Sequence, residues 1–471
     1  MRNKMKNPDI LVVGGGASGI IAAITAAGRG ASVTVLERGK KPLTKLLRTG
    51  NGRCNLTNLD IGTGDGRYDT AKKIHGLPDG YRDLTAAYGH HPKEWSDRTD
   101  EKHNEKEDSY AVTDYHSRDI AFARGCISRF SGEDAVRWFG ALGIPCVSKG
   151  ALVYPRSLQA ASVLDALRFK AEEAGVRFIF ESKVRSVDRI GKEFTVFAES
   201  GSYNADAVII STGGRAMPSS GSDGSGAVIC HKLGHTIIPE VPALVPLKCG
   251  GLPFSSIAGI RAQADVKAFC GKRLLAEDEG ELQFTAYGIS GIPVMQISGA
   301  VSRALYDGSR CFIEIDLVPE MTEEALTRLI EDRVSGFSGR TCSQLLLGLL
   351  PRKLYETLLK NSGVRLQQDI GEYFIDKKDR LDKKRIAAVV HMLKHLRVQA
   401  EGTMGWDHAQ VTSGGVDVSE IDAAAMESKL VPGLYITGEL MDVDGPCGGY
   451  NLHWAWATGI LAGRSAATKC G

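Results

Sequence analysis

The chain has 471 residues, which at roughly 150 residues per domain corresponds to about three domains and allows several buried cores. Its 58 Lys and Arg residues nearly balance its 56 Asp and Glu residues, so the net charge of +2 creates no overall field for a nucleic acid or an anionic membrane. These values exclude a small disulfide-stapled scaffold, and we expect neither nucleic acid nor membrane among the partners.

Glycine and cysteine usage add two expectations. The 55 glycines make up about 12% of the chain against a usual 7% or so, which indicates many turns that approach another group closely. The ten cysteines never form C-x-x-C, the apolar run 10–13 is too short for a signal-peptide core, and nowhere do about 18 apolar residues follow one another. We therefore expect a cytoplasmic protein with reduced thiols.

The first predicted elements are a strand, a helix and a second strand. The wholly apolar run 10–13 is typical of a strand buried on both faces, and residues 18–29 carry apolar side chains at helical spacing. Gly30 ends this helix, and residues 32–36 form the next buried strand, which closes at Glu37. Two parallel strands joined by a helix need a right-handed crossover, so the pattern predicts an α/β unit.

The following segments predict strands first and helices later. A β-meander that returns to a parallel strand is predicted from the segments 178–181, 193–198, 202–203 and 207–212. Between 242 and 315 the pattern indicates short strands, among them 261–269 and the hairpin-like 272–285. From residue 319 it becomes helical, with Thr322 and Asp382 as predicted N-caps and a Thr341–Gln344 capping box. The charged segment 97–109 has no apolar residue and predicts a solvated or disordered excursion.

A dinucleotide fingerprint lies between the first strand and the first helix. Gly14, Gly16 and Gly19 form G-x-G-x-x-G, in which the first glycine allows a tight turn, the second lets the backbone approach a pyrophosphate, and the third lets the helix pack on the strand. Glu37 lies 18 residues beyond Gly19, placed to accept hydrogen bonds from an unphosphorylated ribose. The fingerprint predicts a dinucleotide site without distinguishing NAD from FAD.

Three longer motifs narrow this choice. They are TGNGRCNLTN at 49–58, GLYITGE at 433–439 and DVDGPCGGYN at 442–451. Together with residues 14–37 they resemble the flavoproteins with two dinucleotide-binding domains, in the family that includes bile-acid Δ4,6-reductases and aminoacetone oxidases. The resemblance covers nearly the whole chain. It implies an α/β, Rossmann-like, discontinuous FAD-binding domain at 1–242 and 401–471, with a β-barrel-like insert at 243–318 and a helical insert at 319–400.

The predicted cofactor-binding residues come from the fingerprint and from the motifs that carry the resemblance. They are Gly14, Gly16, Ala17, Ser18, Gly19, Glu37, Arg38, Gly50, Arg53, Cys54, Asn55, Val184, Thr212, Gly213, Gly438, Glu439, Gly448, Gly449, Tyr450 and Asn451. The asparagines could instead fill turns through local hydrogen bonds, and the last segment could be an ordinary glycine-rich helix packed on the sheet. No metal site is predicted.

The sequence motifs do not distinguish between three classes of function. Reduced FAD could reduce a conjugated enone with electrons from transiently bound NADH or NADPH, or FAD could oxidise an amine and pass the electrons to dioxygen; a flavin-binding sensor is a third possibility. A redox-active cysteine pair is disfavoured because Cys54 has no second cysteine beside it, and Cys447 is typical of inert packing. We expect a small-molecule substrate, and the sequence does not indicate the oligomeric state.

Two side chains near the last helix are candidate proton donors. Tyr450 could donate a proton or pack on FAD, and His453 could act as a general acid or form hydrogen bonds in the interior. Members of the family that the chain resembles often carry glutamine at the position of His453 and histidine at the position of Ala286. These two departures leave the family's proton donor unassigned here.

Overall fold

The computed structural model describes residues 8–62, 81–84, 115–337, 339–376, 378 and 380–470. The predicted excursion at 97–109 lies outside the described residues. The chain divides into unit 1, residues 1–240 with 411–471, and unit 2, residues 241–410. The four-part domain division stays a prediction.

A five-stranded parallel sheet forms the centre of unit 1. Its order is Leu434–Ile436, Ala207–Ile210, Ile10–Val13, Val33–Leu36 and Arg177–Ile179. Ile10 pairs with Ala207 on one side and with Val33 on the other. Every residue of Ile10–Val13 and Val33–Leu36 is buried, as the apolar runs predicted. The strand–helix–strand unit is present.

Smaller antiparallel sheets surround it. The predicted meander is wrong in its first strand: residues 178–181 fall on Arg177–Ile179, which is the edge of the parallel sheet. The strand Val184–Ile190, which was not predicted, instead joins Glu193–Ala198 and Gly201–Ala205 in a three-stranded antiparallel sheet. A four-stranded sheet contains Thr57–Asn58, Leu152–Pro155, Cys146–Lys149 and Tyr81–Asp83. Ile237–Ala243 pairs with Val411–Val416. The helices of unit 1 are Ala17–Ala27, Ile120–Ile127, Gly132–Ala141, Ala160–Glu173, Ser225–Lys232 and Tyr450–Cys470, and its 3-10 segments are Leu46–Gly52, Pro218–Ser220, Val418–Glu420 and Gly438–Leu440.

The first and last helices of unit 1 touch through glycines. A Cβ added to Gly459 would lie 2.5 Å from the carbonyl oxygen of Ser18, and one added to Gly463 would lie 2.4 Å from that of Ala22. Real Cβ atoms do not approach an oxygen so closely, so the two backbones are in direct contact. This contact joins the beginning of the chain to its end.

Unit 2 contains a closed six-stranded barrel. The strands in order around it are Leu247–Gly250, Gly288–Gly291, Arg273–Thr285, Arg261–Cys270, Cys311–Asp316 and Leu396–Thr403. Alternate residues such as Ala264, Val266 and Ala268 are buried, as expected for strands that face an interior on one side. The helices of unit 2 are Phe254–Ile257, Ile292–Tyr306, Glu323–Gly336, Arg352–Asn361, Ile370–Phe374 and Lys383–Lys394.

The predicted helix starts of unit 2 have different outcomes. Thr322 and Asp382 cap their helices by accepting from the backbone N–H groups three residues on. The Thr341–Gln344 capping box also forms, yet only the short 3-10 turn Cys342–Gln344 follows it. The chain turns at Gly348 with φ of +79°, where a helix cannot continue.

The fold-class prediction is confirmed: a parallel Rossmann-like sheet, a barrel insert and additional helices are present. In the described part of the chain, no helix combines the length and the apolar character that a bilayer crossing requires. Within the same residues, no group of three or more His, Cys, Asp or Glu side chains is arranged to hold a metal ion.

Candidate functional site

The three glycines of the turn at 14–19 differ in the space around them. A Cβ at Gly14, where φ is +102°, would lie 2.7 Å from the Ser211 carbonyl oxygen, and one at Gly19 would lie 2.0 Å from that of Gly14. A Cβ at Gly16 would meet only the Ser211 oxygen, at 3.9 Å. Packing therefore requires Gly14 and Gly19, whereas Gly16 borders open space.

The helix that starts at this turn offers free donors. Gly16 is the N-cap of Ala17–Ala27 and makes no side-chain capping bond, and the first helical turn has no acidic residue. The first N–H groups of a helix have no partner within the helix and lie at its positive end. Ala17 and Ser18 stand at this end, so the structure forms an anion-binding position there.

Glu37 lies beside the same turn. Its two carboxylate oxygens accept hydrogen bonds from the backbone N–H groups of Gly15, at 2.8 Å, and Gly39, at 2.6 Å. Each carboxylate oxygen can accept a second bond, so these contacts fix the side chain and leave it able to bind a hydroxyl group.

Arg38 is engaged elsewhere. Its guanidinium lies 2.6 Å from the carboxylate of Asp223 and donates to the carbonyl of Gly221. Burial favours the neutral form of Asp223, but hydrogen bonds from Lys183 and Ser225 and the charge of Arg38 hold its pKa well below its usual range. The structure thus shows an ion pair at Arg38, and its predicted cofactor contact remains a prediction.

The loop at 49–58 contains a buried amide oxygen without a hydrogen-bond donor. Gly50 and Cys54 both have left-handed backbone angles, φ +55° and +58°, which fold the loop tightly. Burial raises the pKa of the Cys54 thiol to about 12, so this side chain is a packed thiol and not a nucleophile. Among the described residues, Asn55 Oδ1 is buried and accepts no hydrogen bond, whereas Arg53 is exposed.

Such an orphaned oxygen is informative. A buried acceptor without a donor costs about 1–3 kcal/mol, so proteins rarely keep one that no ligand or water satisfies. The Asn55 oxygen can therefore accept a hydrogen bond from a group bound at this loop.

Glu439 is held by a lysine and by a backbone N–H group. One carboxylate oxygen lies 2.7 Å from Lys45 Nζ, and the other accepts from the backbone N–H of Thr412 at 2.8 Å. The Thr412 hydroxyl in turn accepts from the backbone N–H groups of Arg215 and Ala216, at 2.7 and 3.0 Å. The sequence predicted Glu439, but Lys45 and Thr412 were missed as site residues.

The Lys45–Glu439 pair can be tested by a double-mutant cycle. Because both side chains are about three-quarters buried or more, removing Lys45 in K45M leaves a carboxylate poorly solvated. We expect K45M to lower the free energy of unfolding, and E439Q in the K45M background to lower it less than E439Q does alone. Urea unfolding of the four proteins should give a coupling energy of about 0.5–3 kcal/mol. Strictly additive effects would contradict the pair.

The glycines before the last helix hold its start in place. A Cβ at Gly449 would lie 2.6 Å from the Thr57 carbonyl carbon, and the carbonyl of Gly448 accepts from Asn58 Nδ2 at 3.2 Å. The side-chain amide of Asn451 binds the preceding loop: it accepts a hydrogen bond from the N–H of Gly445 and donates one to the carbonyl of Gly445. The helix start is therefore fixed against the 49–58 loop, and Asn451 positions it.

The remaining predicted residues lie at strand ends. Thr212 and Gly213 follow Ala207–Ile210, and a Cβ at Gly213 would lie 4.0 Å from Glu439 Oε2. Gly438 has φ of +68° and its ideal Cβ would lie 2.8 Å from Ser18 Oγ. Val184 starts a meander strand and is buried in the hydrophobic core. Unit 1 thus brings the opening turn, the 211–213 strand end and the 438–439 segment together.

Tyr450 begins the last helix and is almost buried. Its backbone carbonyl accepts from the Tyr115 hydroxyl at 2.9 Å, and the two rings meet edge to face with centroids 5.6 Å apart. Tyr115 was not predicted, since it is 335 residues away in sequence and belongs to no recognised motif.

His453 has no exposed surface and both ring nitrogens are engaged. Nε2 lies 2.8 Å from the Phe130 carbonyl oxygen, which can only accept, so Nε2 carries the proton. Nδ1 then accepts from the Thr57 hydroxyl, also at 2.8 Å. Burial lowers the pKa of His453 to about 4, with the Phe130 carbonyl and Asp134 opposing the shift in part. This geometry favours the interior alternative over the general acid.

His453 predicts a pH dependence of stability. Its pKa of about 4 in the folded protein is below its value of roughly 6.5 in an unfolded chain, so below pH 6.5 the unfolded state binds more protons. Its contribution is full above pH 6.5 and is lost as the pH falls, by about 2 kcal/mol at pH 5. Urea unfolding at pH 7 and pH 5 measures how much free energy of unfolding each protein loses on acidification. We expect H453Q to lose about 2 kcal/mol less than the unsubstituted protein. An equal loss in both proteins would contradict it.

A surface cleft of unit 1 lies away from these residues. It has a volume of about 480 Å³ and none of its lining residues is a predicted site residue; they are Ser186, Val187, Asp188, Arg189, Ile229, Lys232, Leu233, Leu430 and Val431.

Comparison with known proteins decides the family. The model of the HI0933-like protein Rossmann domain matches residues 8–72 and 102–465. The chain belongs to the HI0933-like family. A 3-dehydro-bile acid delta(4,6)-reductase of Clostridium scindens is 37% identical over 97% of this chain and 98% of its own. Ribosomal RNA dihydrouridine synthases of Haemophilus influenzae and Escherichia coli are 28% and 29% identical, covering 97% and 96% of both chains.

Among solved structures, a 3-ketosteroid-delta4-(5alpha)-dehydrogenase from Rhodococcus jostii RHA1 aligns with 99% of this chain and 98% of its own, at 16% identity and a TM-score of 0.48. A likeness at this level supports no argument about function. The predicted family resemblance is confirmed by the sequence comparisons, and the HI0933-like family is one of FAD-dependent oxidoreductases.

The residues of unit 1 fit FAD. Open space in front of Gly16 and the uncapped helix behind it suit a pyrophosphate, the fixed carboxylate of Glu37 suits a ribose, and the unpartnered oxygen of Asn55 suits a donor on the cofactor. These three features come from separate segments of the sequence, and each suits one part of the same cofactor.

Proposed function

We propose that this protein reduces a carbon–carbon double bond conjugated to a carbonyl, in a 3-oxo-Δ4 or Δ4,6 steroid- or bile-acid-like substrate, with electrons from NADH or NADPH. The observation that carries the proposal is the 37% identity to a bile-acid delta(4,6)-reductase over nearly the full length of both chains. The more distant relatives are dihydrouridine synthases, and dihydrouridine is uridine whose C5–C6 double bond, conjugated to a carbonyl, has been saturated. Relatives with unlike substrates thus share one bond type.

In this proposal the residues of the opening turn and of the 49–58 loop hold the cofactor. Gly16 and the following N–H groups bind the pyrophosphate, Glu37 binds the ribose, and Asn55 accepts a hydrogen bond from the cofactor. Bound FAD supplies the electron pair that the double bond receives. The amino end of Tyr450–Cys470, which is the positive end of that helix, stabilises negative charge placed before it.

Saturating the double bond also requires a proton at the α-carbon. His453 holds its Nε2 proton on the Phe130 carbonyl and has no exposed surface. Tyr450 stands one helical turn earlier, and a tyrosine hydroxyl is protonated at neutral pH. We therefore assign the proton transfer to Tyr450.

Product analysis tests the proposal. FAD-loaded protein, mixed with NADH or NADPH and a 3-oxo-Δ4,6 bile acid, should yield a product heavier by two hydrogens. General acid catalysis contributes roughly 10²–10⁴ in rate, so Y450F should slow turnover by about a hundredfold or more at unchanged FAD content, whereas H453Q should keep its rate.

Other outcomes would contradict it. Peroxide formation with a primary amine, and no reduction of the enone, would favour an amine oxidase. Reduction of uridine in RNA without reduction of the bile acid would place the protein with its dihydrouridine synthase relatives.

A further inference from the structure

Two cysteines face each other on neighbouring strands of the barrel in unit 2. The antiparallel strands Arg261–Cys270 and Cys311–Asp316 pair in a continuous register that places Cys270 directly opposite Cys311. Directly opposed residues of antiparallel strands have Cα atoms about 4.5–5.5 Å apart. Disulfides span Cα separations of about 4.4–6.8 Å, so this register is compatible with a bond between the two sulfurs.

The two side chains also lie on the same face of the sheet. One pair further along, Phe269 and Phe312 stack with ring centroids 5.3 Å apart on one face. Side chains alternate along a strand, so Cys270 and Cys311 project from the opposite face. That face is the one on which Ala268 is buried. The thiols therefore share one side of the barrel wall and have neighbouring positions.

Access to the two thiols is unequal. Cys270 is partly exposed next to the hairpin turn, whereas Cys311 is only 2% exposed. Burial raises the pKa of the Cys311 thiol, and the neighbouring Cys270 raises it further. A reagent in solution therefore reaches Cys270 first, and Cys311 can react only with what is attached there.

The other cysteines considered lack either a directly opposed cysteine or an exposed thiol with which an exchange can begin. Cys249 pairs with Ala400, which also pairs with Cys311, so one strand separates Cys249 from Cys311. Cys54 and Cys146 are both buried and have no exposed partner to begin an exchange. Cys470 is partly exposed and lies in the last helix of unit 1, which makes it a matched control.

We propose that Cys270 and Cys311 form a thiol–disulfide exchange site that reacts with small disulfides such as oxidised glutathione. The Cys270 thiolate attacks the small disulfide, forming a mixed disulfide and releasing one glutathione thiol. The Cys311 sulfur then displaces the second glutathione, giving a Cys270–Cys311 bond. Two protein thiols are oxidised, one small disulfide is reduced to two thiols, and each displacement transfers one proton from a protein thiol to a leaving thiolate. The site is independent of the proposed reductase activity.

Thiol counting under denaturing conditions tests the site. Full-length protein equilibrated with oxidised glutathione should fall from ten free thiols to eight, and peptide mapping should show one link between Cys270 and Cys311. C470S should lose two thiols in the same way. C311S should stop at the mixed disulfide and accumulate glutathione on Cys270, and C270S should form no cross-link to Cys311.

Several results would overturn the proposal. A lasting glutathione adduct on Cys270 in the unsubstituted protein, without a cross-link, would show that Cys311 does not complete the exchange. Loss of two thiols in C270S would place the reactive pair elsewhere. Circular dichroism of each serine variant, compared with C470S, separates a misfolded barrel from an unreactive one.

Discussion

Replacing Gly16 with alanine should weaken FAD binding at least tenfold while leaving the fold intact. The added Cβ would lie 3.9 Å from the nearest protein atom, and the backbone of Gly16, with φ of −77°, suits alanine. In the proposed complex the same methyl group occupies the space of the pyrophosphate. Titration of the apoprotein with FAD, followed by flavin fluorescence, measures the loss, and tenfold corresponds to about 1.4 kcal/mol.

The neighbouring glycine gives the contrasting result. A Cβ at Gly19 would lie 2.0 Å from the Gly14 carbonyl oxygen, so G19A should lower stability even without FAD. Gly336 has no atom within 4 Å of an added Cβ, and G336A should bind FAD normally. If G16A bound FAD as tightly as G336A, the pyrophosphate position would be wrong.

Replacing Gly459 with alanine should lower the free energy of unfolding by about 1–3 kcal/mol, although alanine is the better helix former. Alanine is more favourable than glycine in a helix interior by about 1 kcal/mol, so propensity alone predicts stabilisation. The packing predicts the opposite sign, because the added methyl would lie 2.5 Å from the Ser18 carbonyl oxygen and would push the two helices apart. Urea unfolding of the apoprotein measures the difference.

The matched control for Gly459 is again Gly336, which is helical and has open space around an added Cβ. We expect G336A to be neutral or slightly stabilising and G459A to be destabilising. The contact between first and last helix also positions the opening turn, so G459A should weaken FAD binding. Stabilisation by G459A would show that the helices are not in backbone contact.

The sequence predicted the parts of unit 1 whose cause is local. The run 10–13 is wholly apolar and forms the buried central strand, and the glycine spacing at 14–19 matches a turn in which two glycines have no room for a side chain. Thr322 and Asp382 cap helices because their hydroxyl and carboxylate groups reach N–H groups three residues away.

What the sequence could not predict depends on distant partners. Lys45 meets Glu439 across 394 residues, and His453 receives its partners Thr57 and Phe130 from 396 and 323 residues away. No local pattern contains these pairs, so a histidine that suits acid catalysis by type proves to be an interior residue by its contacts. The unpartnered oxygen of Asn55 likewise becomes visible only when its surroundings are known.

The central claim is that a cofactor held at the opening turn delivers electrons to a conjugated double bond. It is tested most directly by mixing photoreduced, FAD-loaded protein with a 3-oxo-Δ4,6 bile acid in a stopped-flow instrument without oxygen. The account predicts that the flavin absorbance near its oxidised maximum returns in a single turnover, with one substrate molecule reduced per flavin. A flavin that stays reduced in the presence of the bile acid, yet reoxidises when air is admitted, would contradict it.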